Sequence, residues 1–149
     1  MGKWTDELAN DERKRNDRKT RLIAAQERFL RELLAVMQKD IRELREQLPY
    51  LPAANSPRIG EFGNSIKIDG GPLDMFEPSM TVFYDALESS IKVSYRHCSE
   101  GSEIHFSADA MGGVVSLDGH SVDFNRLSEQ LLRPLLKSMA RHYGYLKPR

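Results

Sequence analysis

Residues 22–48 read LIAAQERFLRELLAVMQKDIRELREQL, and this stretch decides the fold class. Ile23, Glu27, Leu30, Leu34, Met37, Ile41, Leu44 and Leu48 follow a 4-3-4-3 spacing in which Glu27 is the polar member. That spacing keeps one seam on one face of an α-helix. Leu22, Phe29, Leu33 and Val36 widen the seam into a stripe as far as Met37. A broad stripe suits packing on a sheet, and a narrow one suits a partner helix. Ile23, Leu30, Leu34, Met37, Ile41 and Leu44 are the expected helix seam or core.

Upstream, neither glycine nor proline interrupts the chain between Thr5 and Pro49. One helix is predicted from Thr5 to Leu48, with Thr5 as its cap and Asp6 and Glu7 favourable in its first turn. At 1.5 Å per residue it would be about 65 Å long. A compact chain of this size has a radius of gyration of about 15 Å. Asn10 to Arg21 holds no apolar side chain. The helix is therefore expected to pack along its second half and project along its first. Residues 1–21 form a charged arm and residues 22–149 a single α+β domain.

Downstream of Leu48 the periodicity changes. Residues 49–65 are punctuated by proline and glycine and read as a linker. Residues 66–124 alternate in short runs: Ile66 and Ile68, Met80 to Tyr84, Ile91-Val93-Tyr95, Ile104-Phe106-Ala108, Val115 and Leu117. Glu100-Gly101, Gly112-Gly113 and Asp118-Gly119 are turn signals between them. An antiparallel meander of four to five strands is expected. A helix over 126–143 follows, capped by Asn125, stopped by Gly144, kinked at Pro134 and packed on the same sheet face.

Hairpin turns fix which residues face each other. A turn centred on Glu100-Gly101 puts Tyr95 opposite Phe106 and Val93 opposite Ala108. A loop over Ala110 to Gly113 puts Phe106 opposite Leu117 and Ala108 opposite Val115. An Asp118-Gly119 turn puts Val115 opposite Val122. These registers align Arg96, His105 and Asp118 on the outer face, with Ser94, Ser107, Ser116 and Ser121 beside them and Lys92 opposite Asp109. His97 falls on the apolar side and Cys98 on the outer side.

The chain has 149 residues and a formal charge of zero, from 22 basic and 22 acidic residues. The zero is a cancellation: residues 1–48 carry net +2, 49–124 net -7 and 125–149 net +5. No apolar run reaches the roughly 18 residues of a membrane span. No apolar signal region follows Met1, so the expected location is cytoplasmic. One cysteine excludes an internal disulfide and a multi-cysteine zinc site. His97, His105, His120 and His142 form no metal-ligand spacing, and no phosphate-cradling or nucleophile-elbow motif occurs. Neither metal nor cofactor is expected.

Arg96, His105 and Asp118 form the one constellation that resembles catalytic equipment. A flat exposed sheet supplies no concave dry site, so cross-strand charge pairing is the preferred reading, and no enzyme or small-molecule substrate is expected. Arg13, Lys14, Arg15, Arg18, Lys19 and Arg21 give net +5 over nine residues of the arm. The expected function is a non-enzymatic protein-protein interaction or regulatory module, oligomeric through its long helix. The alternative is a nucleic-acid-binding regulator that lays the basic run along phosphates. A minor alternative is a small inhibitor that presents the acidic middle segment to a nucleic-acid-binding protein.

Overall fold

The computed structural model describes residues 2–47, 57–60, 63–69, 78–98, 103–110 and 113–143, with side chains as far as Arg141. The chain is α+β: a long helix α1 (Lys3–Gln47), a sheet of seven strands, and a C-terminal helix α2 (Phe124–Tyr143). The strands are β1 (Arg58–Ile59), β2 (Ser65–Asp69), β3 (Ser79–Asp85), β4 (Ser90–Arg96), β5 (Ile104–Asp109), β6 (Ser116–Leu117) and β7 (His120–Ser121). They lie side by side in chain order, each antiparallel to the next. The expected meander of four to five strands is thus corrected to seven. β1 and β7 account for the excess, because two residues cannot show alternation. β1 also falls inside the expected linker. Most of that linker, Leu48, the Glu100-Gly101 turn and the Gly144 stop lie outside the described residues.

α1 spans 45 residues, about 67 Å at the α-helical rise. Its first turn is closed on Gly2: Thr5 N and Oγ1 donate to the Gly2 carbonyl at 3.1 and 2.6 Å, so the helix starts two residues before the expected cap. Ala25, Gln26, Phe29, Leu30, Leu33, Met37 and Ile41 are its buried residues. They form a stripe broader than a helix-pairing seam. Of the six seam residues expected, Leu30, Met37 and Ile41 are in the core, Leu34 and Leu44 are half-buried, and Ile23 is 41 % exposed.

The stripe lies on the apolar sheet face made by Ile66, Ile68, Met80, Val82, Tyr84, Ile91, Val93 and Ala108, all buried. Phe29 joins three elements, with its ring 6.1 Å from Tyr84 on β3 and 5.5 Å from Phe124 on α2. α2 adds Leu127, Leu131, Leu132, Leu135 and Met139 to the same core. Ser128 Oγ donates to Asp40 Oδ2 at 2.7 Å and fixes the two helices to each other. Asp123, not Asn125, caps α2. Its Oδ1 accepts from Arg126 N at 3.3 Å and its carbonyl from Leu127 N at 2.9 Å.

Side-chain parity follows the alternation, but two registers differ from expectation. Ile91 faces Phe106 and Val93 faces Ile104, a slip of four residues from the expected β4–β5 pairing. Ala108 faces Leu117 and Asp109 faces Ser116, a slip of two at β5–β6. Both slips are even, so the apolar face is preserved. Just past the end of β4, His97 has a φ of 57°. The alternation reverses at this left-handed residue. His97 is exposed, and Cys98 packs against the core, the opposite of the expected sides. The β6–β7 turn is as expected, with Asp118 at φ 50° and Gly119 at φ 80°, which closes a two-residue hairpin of the primed type.

Truncating the stripe should cost what a filled core costs. Leu33→Ala, at a fully buried position, is expected to lose about 2–5 kcal/mol of unfolding free energy. Ile23→Ala is expected to stay within about 1 kcal/mol. Urea titration of the two variants checks the difference.

Candidate interaction surface

α1 outruns the sheet. From Gly2 to Arg21 every side chain is exposed except the half-buried Thr5. Burial begins with Leu22 and is complete by Ala25. Where the helix leaves the domain it passes the turn between β3 and β4 and the end of β5, and an open groove forms on each side. One groove, about 520 Å³, places Lys14, Arg18 and Arg21 beside Ser89, Asp109 and Ala110. The other, about 680 Å³, places Arg15, Arg18 and Lys19 over Leu22, Phe83 and Leu87.

The six cations expected to meet a partner therefore sit together on the arm, all exposed. Arg15 bonds Glu12 on its own helix at 3.3 Å, and both side chains are largely exposed. Such a pair contributes little to stability. Asp85 and Asp109 border the two grooves beside the run. Among the described residues of the middle segment, several acids are engaged locally. Asp85 Oδ1 accepts from Leu87 N and Glu88 N, at 3.0 and 3.3 Å, and closes the β3–β4 turn. Asp118 Oδ1 accepts from Ser107 N at 3.0 Å, and Asp69 pairs with Arg58 at 2.8 Å.

Arg96, His105 and Asp118 all lie exposed, but the structure does not bring them together. Arg96 faces Ser79 on β3. His105 faces Lys92 on β4, and its Nε2 lies 3.4 Å from Glu103 Oε1. Asp118 is spent on the backbone of Ser107. The register slips separate what the expected pairing had aligned. Ser107 faces Ser90, Ser94 faces Thr81, and Ser116 faces both Asp109 and Ser121. Among the described residues no three His, Cys, Asp or Glu side chains cluster in a way that could hold a metal ion. No helix among them is long and apolar enough to cross a membrane.

Sequence reasoning passed over two features. Trp4 and Leu8, 69 % and 54 % exposed, stand one turn apart at the outer end of the arm. Their spacing signals a shared face, but two apolar residues in an otherwise charged stretch do not make a periodicity. Tyr95 is the other. Its hydroxyl donates to the Leu131 carbonyl at 2.6 Å and ties β4 to α2. Burial, reinforced by nearby Cys98, pushes Tyr95 up to about 12. Burial also raises Cys98, while the Ser79 and Arg96 carbonyls to which its thiol donates lower it. Tyr84 is raised by burial and then by the Asp109 charge. Its hydroxyl is buried with no hydrogen-bond partner among the described residues.

Comparison with known proteins returns no matching family model, no similar curated protein and no similar solved structure.

The neutral form of Tyr95 stabilises the fold. That contribution is complete below the ordinary tyrosine value of 10.0 and is lost as pH climbs through about 12. Tyr95→Phe is expected to lower stability at neutral pH by about 1 kcal/mol. Its melting temperature should also fall less steeply above pH 10 than that of the wild type. Melting curves that run parallel across that range would exclude the assignment.

Proposed function

We propose that the protein is a non-enzymatic protein-binding module whose binding element is the helical arm, residues 3–21. One observation carries the reading: a single uninterrupted helix is locked into the core along its second half and holds its first half out, with Trp4 and Leu8 exposed on it. An arm held straight by its own continuation loses little freedom on binding. Exposed Trp in such a position is the residue type that most often dominates a protein interface. The rest of the molecule supports the same reading by what its polar groups do. Asp85 closes the β3–β4 turn, Asp123 caps α2, and the exposed His105 lies beside Glu103 of its own stretch of chain.

The exposed cations Arg13, Lys14, Arg15, Arg18, Lys19 and Arg21 favour nucleic acid as the second reading. The two readings differ in which side chains they need. A phosphate backbone needs the cations and is released by salt. A protein partner needs Trp4 and Leu8.

Capture from a cell lysate supplemented with a differently tagged copy of the chain separates them. The bait is the full chain, the Trp4→Ala/Leu8→Ala double variant, or the charge-reversed Arg15→Glu/Arg18→Glu/Arg21→Glu variant. The expected result is a protein, self or other, that survives nuclease treatment and is lost with the double variant. Material lost to nuclease and to charge reversal, but retained by the double variant, would establish the nucleic-acid reading instead.

A further inference from the structure

Five large hydrophobic side chains are exposed among the described residues: Trp4, Leu8, Ile23, Leu87 and Val114. Four of them belong to two places. Trp4 and Leu8 lie at the tip of the arm. Ile23 and Leu87 line the larger groove at its base, together with Leu22, Phe83 and Ala86. Tip and base are the two ends of one face of α1. Trp4, Leu8, Asp11, Arg15, Arg18 and Leu22 continue, at a 4-3-4-3-4 spacing, into the buried Ala25 and Phe29.

That series complements itself when reversed. Set two arms antiparallel about a two-fold axis at the level of Arg13. Trp4 then meets Leu22, Leu8 meets the aliphatic stem of Arg18, and Asp11 meets Arg15, each twice. On the flanks Glu7 of each copy comes beside Arg21 of the other, while Glu12 and Lys14 each meet their own counterpart near the axis, so the seam pair Asp11–Arg15 carries the charge complementarity. A parallel arrangement would set Arg15 on Arg15 and Arg18 on Arg18, so charge selects the antiparallel one.

We propose that two copies of the chain pair antiparallel through their arms, with Trp4 of each copy seated at the base of the other arm, in the groove between α1 and the β3–β4 turn. The pairing rests on the reading of the arm as a protein-binding element and names its partner, a second copy. The contact is isologous, so each copy gives one Trp4 and receives one. The groove's volume of about 680 Å³ admits an indole, and its floor is apolar. The Arg15–Glu12 pair within one helix is exposed, and exchanging it for Asp11 of the second copy costs little. Asp11 and Arg15, and beside them Glu7 and Arg21, then neutralise each other between copies.

Sedimentation equilibrium of the full chain across the micromolar range tests this, with Asp11→Arg, Arg15→Asp and Trp4→Ala as variants at exposed positions. The wild type should form a dimer. Asp11→Arg and Arg15→Asp each turn two attractive contacts into repulsive ones and should weaken it about tenfold. An equimolar mixture of those two variants restores opposite charges at both contacts and should dimerise as the wild type does. Trp4→Ala should weaken the dimer by about tenfold or more. A wild type that stays monomeric, or a mixture no tighter than its separate components, overturns the pairing. A monomer that still captures a different protein through Trp4 and Leu8 overturns the pairing and leaves the arm's protein-binding role standing. A monomer whose arm binds only nucleic acid overturns both.

Discussion

The structure depends on the burial of one helix face. Phe29, Leu30, Leu33, Met37 and Ile41 are held between the sheet and α2, and through Phe29 the three layers of contact meet at one ring. The sheet is otherwise a meander whose apolar face α1 and α2 cover together. Once the second half of α1 is fixed there, nothing in its sequence stops the helix before Lys3, so the arm follows without further packing. A feature that looks like an addition to the domain is a consequence of how the domain is closed.

The groove at the arm's base has the same origin. The β3–β4 turn, shaped by Asp85 and by Ser89 at a φ of 49°, stands beside the helix where burial begins. Helix and turn stand apart there, and Leu22, Ile23 and Leu87 are among the residues that line an open trough between them. The basic run lies along its rim. The net zero charge of the chain therefore hides a local arrangement, with cations on the arm, carboxylates at the adjacent strand ends, and further carboxylates toward the arm's tip.

Much of the fold was legible because it depends on parity and periodicity. The stripe from Leu22 to Leu44 has one helical reading, and alternation in β2 to β5 assigns faces whatever the pairing. Registers were legible only where a turn has a demanding backbone. Asp118-Gly119 has one, and β6–β7 pairs as expected. The β4–β5 connection runs through His97 in the left-handed region, a conformation histidine rarely signals, and the pairing slips by four. The Arg96–His105–Asp118 row was read from that register and dissolves with it. The basic run of the arm was legible as composition. Trp4, Leu8 and the groove that faces the same way were not, because a groove is made by residues distant in sequence and two apolar residues carry no period of their own.

Hydrogen exchange along α1, measured at several protein concentrations, tests most directly the claim that one helix is core in its second half and binding arm in its first. Amides of residues 25–41 should exchange as slowly as those of β3 and β4 at every concentration, whereas amides of residues 4–22 should exchange quickly when dilute and gain protection as concentration rises. Equal and fast exchange along the whole helix, or protection of 25–41 that itself varies with concentration, would contradict it.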